Sequence, residues 1–116
     1  MSYWGGKPAD NDYAFDAVGV YVLLIKERMF EDMENVLQKS YPEQSIIASL
    51  RCIRLLAEEF PKCVRVSFRR KELEQCKVAF ANWYDAVKGK LPAKYREEIL
   101  FQANAEFALF EERVLV

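Results

Sequence analysis

The apolar side chains of this sequence return every three or four residues along four separate segments, and that spacing most constrains the fold. Over 46–60, Ile46, Ile47, Leu50, Ile53, Leu56, Ala57 and Phe60 share one side of a 3.6-residue helix but would fall on both faces of a strand. Leu73, Cys76, Phe80, Trp83, Tyr84 and Val87 repeat the pattern over 70–88. Tyr95, Ile99, Ala103, Phe107, Phe110 and Val114 form a seam over the last segment. Near the N-terminus, Ala14, Ala17, Val18, Tyr21, Leu24, Ile25, Met29, Met33, Val36 and Leu37 keep helical phase, and Phe15 and Val22 add a second face. A helix apolar nearly all round is expected at the centre of a fold, covered by its neighbours. The β-branched run Val18–Val22 fits a strand as well. We read it as helix because the spacing continues into a polar-backed stretch, with a break allowed near Lys26–Phe30.

Local signals divide these segments. Asp10, Asn11 and Asp12 offer N-cap chemistry to the first helix. Ser40 and Glu43 have capping-box spacing, with Pro42 tolerated in a first turn. Pro61 is expected to end the second helix. The alternation Val64, Arg65, Val66, Ser67, Phe68 is strand-like but short, so 62–68 reads as an extended connector. Gly89 is the expected C-terminal cap of the third helix, and Leu91-Pro92 opens the fourth. Gly5, Gly6 and Pro8 disfavour helix and make 1–9 an extended arm. The expectation is an all-α fold: a single domain over 1–116, a compact bundle of about four helices with an extended N-terminal arm.

With 116 residues, 52% of them hydrophobic, the chain can bury a core without disulfides or a structural metal. Its 17 basic and 18 acidic residues leave a net charge of -1, without the basic excess of a nucleic-acid coat or an anionic-membrane binder. The longest apolar run, Tyr13–Ile25, contains Asp16 and Gly19 and falls short of the roughly 20 residues a membrane span needs. The N-terminus lacks the basic and apolar regions of a signal peptide. The three cysteines, Cys52, Cys63 and Cys76, are odd in number and without CxxC spacing, so reduced thiols in a cytoplasmic protein are expected. The chain has no histidine, which removes the commonest general base, the commonest zinc ligand and every Ser-His or Cys-His nucleophile. This points away from an enzyme, with no cofactor and no metal expected.

Trp4-Gly5 followed by Asn11-Asp12-Tyr13-Ala14-Phe15-Asp16 resembles a family of small bacterial proteins catalogued as domain of unknown function 4259. Members tend to begin Gly-x-Trp-Gly and to carry Asn-Asp-x-Ala-x-Asp at the start of a long helix; here Ser2 departs from the first glycine. The motif covers about the first 19 residues. The resemblance implies a helical bacterial protein without an established activity and assigns no catalytic residue. By analogy with small bacterial proteins of this look, an immunity-like or regulatory partner is one reading.

Each candidate site has a structural reading beside a functional one. Asp12 and Asp16, one turn apart, form a carboxylate pair or, with Asp10, a hard-cation site; the plainer reading has Asp12 at the helix start and Asp16 tied to the arm. Trp4 is expected to plug into a groove between helices, with Gly5 and Gly6 freeing the turn. Lys62, Arg65, Arg69, Arg70 and Lys71 form a basic cluster, either a solvated helix start or a surface for an acidic partner or nucleic acid. Cys76 beside Lys77 is expected to be a buried small hydrophobe. Leu100, Phe101, Leu109 and Phe110 give the last helix apolar residues on more than one side, as self-association or a partner surface requires. The leading expectation is a non-enzymatic protein that binds a protein partner or itself. The alternatives are a small-ligand or metal-binding protein or enzyme using Asp12, Asp16 and Glu58, and nucleic-acid binding through 62–71.

Overall fold

The computed structural model describes residues 3–35 and 44–115. Among them the regular structure is helical: α1 Asp12–Asn35, α2 Gln44–Glu59, α3 Pro61–Ser67, α4 Arg70–Val87, a 3₁₀ turn Lys88–Lys90, and α5 Ala93–Arg113. The fold is all-helical, with five helices rather than about four. The added one is α3, where an extended connector was expected. Pro61 does not merely end α2: it occupies the first turn of α3, where its missing N–H costs nothing. Cys63, Val64 and Phe68 turn inward while Val66 is 71% exposed, so the Val64–Val66 alternation is not a strand's. The Ser67 hydroxyl donates back to the Cys63 carbonyl at 2.9 Å, one helical turn earlier. The expected Ser40–Glu43 cap, and Val36 and Leu37, lie outside the described residues.

The central helix is α2, which packs on α1, α3 and α5. Its Ile46, Ile47, Leu50, Ile53 and Ala57 are buried as the stripe predicts. On α4 and α5, Leu73, Cys76, Phe80, Trp83, Ala103, Phe107 and Phe110 close the core. The Phe80 ring lies 5.5 Å from Trp83 and 6.0 Å from Phe107, and Phe68 lies 4.7 Å from Phe110. Such offset and edge-on aromatic pairs add to the burial they accompany. The molecule measures 54 × 24 × 21 Å.

Two readings need correction. Helix α1 runs without a break through Lys26–Phe30, but it is not covered all round. Val18, Val22 and Met29 are its buried residues, whereas Tyr13, Val20, Tyr21, Leu23 and Leu24 are about half exposed or more. Its core face is therefore set by Val18, Val22 and Met29, and Tyr21 and Leu24 point outward. Gly89 is not a left-handed cap, because no described glycine has positive φ. It sits in the 3₁₀ turn, and α4 closes with the Lys88 N–H donating to the Tyr84 carbonyl. On α5 the seam is buried from Ala103 onward, while Tyr95 stays exposed.

Two charged nodes tie the helices together. Glu106 of α5 is 0% exposed, and its carboxylate accepts from Arg54 Nε at 2.6 Å, Arg54 Nη2 at 3.2 Å and Arg51 Nε at 2.8 Å. The Glu106 hydrogen bond holds Arg54 protonated above its ordinary value, against the opposing effect of burial. At the other node, Lys26 of α1 donates to the Ser67 carbonyl at 2.7 Å and pairs with Glu72 at 2.8 Å. Glu72 in turn accepts the Arg69 N–H at 2.8 Å and so caps α4. One lysine thus closes the last turn of α3 and anchors the first turn of α4.

Candidate interaction surface

The N-terminal arm is a closed loop rather than an extended strand. Tyr3 and Asn11 form an antiparallel bridge, the Trp4 N–H donates to the Asp10 carbonyl at 2.9 Å, and the Asp10 N–H donates to the Lys7 carbonyl at 3.0 Å. The Asp10 carboxylate accepts the Lys7 N–H at 3.0 Å. Gly5 leaves room for that carboxylate: a Cβ would stand 2.2 Å from Asp10 Oδ2 and push it from its place. The cap of α1 is Asn11, whose Oδ1 accepts the Ala14 N–H at 2.9 Å. Asp12 favours the positive end of the helix but does not cap it, and Asp12 and Asp16 are both exposed. Trp4 is not plugged into a groove. It is 51% exposed, with its ring 6.0 Å edge-on from Phe15. Gly5, Asn11 and Ala14 of the motif therefore serve the loop and cap, while Trp4, Asp12 and Asp16 face solvent.

The basic cluster straddles the α3–α4 elbow, with Lys62, Arg65, Arg69, Arg70 and Lys71 all exposed. Arg70 is engaged by Glu111 of α5 at 2.6 Å, and the Arg69 N–H is taken up in the α4 cap. Val66 is the large apolar side chain exposed among them. Two grooves flank α4. One, about 690 Å³ between α4 and α5, is lined by Phe80, Tyr84, Leu100 and Phe107. The other, about 560 Å³ between α1 and α4, is lined by Phe30, Met33, Val78 and Ala79 and rimmed by Glu34 and Glu74. Neither groove is lined by Asp12, Asp16 or Glu58. Glu58 spans Arg54 at 3.5 Å and Arg113 at 3.6 Å. Among the described residues no three His, Cys, Asp or Glu side chains converge as a metal site requires. Among the described residues no helix is long and apolar enough to cross a membrane.

Cys63 and Cys76 are buried and Cys52 is exposed. Burial pushes the Cys76 thiol up to about 12, with the nearby Glu72 charge adding to the effect, and burial raises Cys63 as well. Neither carries the thiolate that nucleophilic chemistry needs.

The outer side of α1 is different in kind. Tyr13, Val20, Leu23 and Leu24 lie on the helix side opposite Val18, Val22 and Met29, Tyr21 lies on their flank, and each is about half exposed or more. They extend over about 17 Å of helix at 1.5 Å per residue. The exposed acids Asp12, Asp16, Glu27, Glu31 and Glu34 flank them, and Arg28, the exposed base on this side, pairs with Asp32 at 3.1 Å. The periodicity reading placed Tyr21 and Leu24 on the main apolar stripe and Val22 on a second face, whereas the structure buries Val22 and exposes Tyr21 and Leu24; the acids that share their side are the sequence signal that it faces water. No family model, curated protein or solved structure matches the chain.

Proposed function

We propose that this protein is a binding module, without an enzymatic activity of its own, that docks another protein on the outer face of α1. The observation that carries the reading is the stripe Tyr13, Val20, Tyr21, Leu23 and Leu24, left exposed among the described residues on the longest helix they form. Five large apolar side chains on one side present on the order of 500 Å², at the upper end of the largest apolar patch a monomer carries. The chemistry of the interior supports the same reading. The buried carboxylates Glu72 and Glu106 are each held by a cation within 2.8 Å, and the buried thiols are protonated. The resemblance to the family of unknown function 4259 belongs to this proposal as well. It implies a helical bacterial protein without an established activity; an immunity-like or regulatory role comes only by analogy with small bacterial proteins of this look. Asp12 and Asp16 of its motif stand beside the docking face.

Affinity capture from host lysate with the wild-type chain and a Val20→Glu/Leu24→Glu variant tests the reading. Both positions are exposed, so the variant keeps its helical circular dichroism. A near-stoichiometric protein retained by the wild type and lost by the variant is the expected result. A protein retained equally by both, or none retained by either, refutes it.

A further inference from the structure

The charges around the α1 stripe state what kind of partner fits it. From the apolar ridge and its rim, we infer that the partner is an amphipathic helix whose apolar seam is flanked at both ends by lysine or arginine. This inference rests on the docking role of α1 proposed above. Asp12 and Asp16 bracket Tyr13, so that Asp16 precedes the apolar segment of Val20, Tyr21, Leu23 and Leu24, and Glu27, Glu31 and Glu34 extend beyond its C-terminal end, all of these acids exposed. Arg28, their exposed basic neighbour on this side, is engaged by Asp32. The face is thus apolar in the middle and negative at both ends. A helix laid along it buries its seam on Val20, Leu23 and Leu24 and sets its terminal side chains against carboxylates, which favours cations at both ends.

A second copy of the chain is the natural competitor, and its charge disfavours it. Two such faces brought together set five acids against five, with one base each, so like charges accumulate at the ends of the seam. The chain's own basic cluster does not resolve this. Lys62, Arg65, Arg69, Arg70 and Lys71 surround Val66 alone, which supplies no seam to match three turns of α1.

Two synthetic amphipathic peptides of about 20 residues, long enough to hold helix, test the inference. They share a leucine seam, and one carries lysines at both ends where the other carries glutamates. Binding to the full chain is read by fluorescence anisotropy at about 50 mM and about 300 mM salt. The lysine peptide is expected to bind at least about tenfold more tightly than the glutamate peptide, with the preference shrinking at high salt. Asp16→Lys/Glu27→Lys, which leaves three acids and two lysines on the rim, is expected to abolish most of the preference, and Leu24→Glu to weaken both peptides about tenfold or more. Equal binding of the two peptides, both weakened by Leu24→Glu, overturns the basic partner and leaves the docking face standing. A lysine-peptide affinity untouched by Leu24→Glu removes the docking face too. Binding by neither peptide overturns the inference; a dimer in sedimentation equilibrium that Val20→Glu dissolves then assigns the face to a second copy.

Discussion

Replacing Glu106 by glutamine removes one charge from the most enclosed ionic group among the described residues while keeping its volume. The carboxylate is fully buried and meets three guanidinium N–H groups between 2.6 and 3.2 Å, two from Arg54 and one from Arg51. Arg54 is itself buried, so in Glu106→Gln its cation stays behind, facing an amide that keeps one acceptor and adds two donors to a site already full of donors. Breaking a buried pair from one side costs about 3–5 kcal/mol. The retained amide oxygen places the expected loss at the lower end, about 3 kcal/mol. Arg51 is half-exposed, and Arg51→Ala is expected to cost under about 1 kcal/mol. For a chain of this length total stability is on the order of 10 kcal/mol, so Glu106→Gln removes a large share of it. At about 4 °C per kcal/mol, Tm falls by roughly 12 °C. Urea titration followed by circular dichroism reads the loss directly. The sharper check is Arg54→Leu/Glu106→Leu, which removes both charges and fills the site with apolar volume. It is expected to recover most of what either single replacement loses. A Glu106→Gln loss below about 1 kcal/mol, or a double variant as unstable as the sum of its parts, refutes the view that an uncompensated buried cation sets the cost.

Other parts of the fold give further expectations. Lys26→Met severs the link between the Ser67 carbonyl and Glu72 and leaves Glu72 with the Arg69 N–H; a loss of about 2–3 kcal/mol in urea titration is expected. Gly19→Ala is expected to stabilise by about 0.5–1 kcal/mol, because a Cβ there meets only Ser67 Oγ at an ordinary 3.6 Å; a lower urea midpoint contradicts it. At pH 8 one thiol, Cys52, is expected to react rapidly with Ellman's reagent in the native protein, and all three in denaturant. A second fast native thiol counts against burial of Cys63 and Cys76. Because the Cys76 thiol titrates at about 12 in the fold against an ordinary value near 9, its contribution to stability is complete below pH 9 and declines as pH rises toward 12. Cys76→Ala, which cannot ionise, is expected to flatten that alkaline loss.

What periodicity reveals depends on whether a helix has one apolar side or two. On α2 the stripe Ile46, Ile47, Leu50, Ile53 and Ala57 has Arg51, Glu58 and Glu59 against it, so the core side was unambiguous and the structure buries it. On α1 both sides are apolar, and a count of apolar residues cannot choose between Val22 and Tyr21. The positions of Asp12, Asp16, Glu27, Glu31 and Glu34 do choose, since an unpaired carboxylate stays in water. Seven residues are too few for period alone to identify α3: Val64 and Val66 fit a strand, and Cys63, Val64 and Phe68 fit a helix. Pro61, read as a stop, was equally a start. Glu106 was legible by phase, falling between Ala103 and Phe110 on the buried seam of α5. Its meaning was not, because Arg51 and Arg54 lie more than fifty residues away and reach it only when α2 packs on α5. The asymmetry is physical: a buried acid announces itself by its place in an apolar stripe, but the cations that make its burial affordable are supplied by tertiary packing. An exposed apolar stripe is the converse case: among the described residues nothing buries Tyr13, Val20, Tyr21, Leu23 and Leu24, and the acids around α1 mark in the sequence which side meets water.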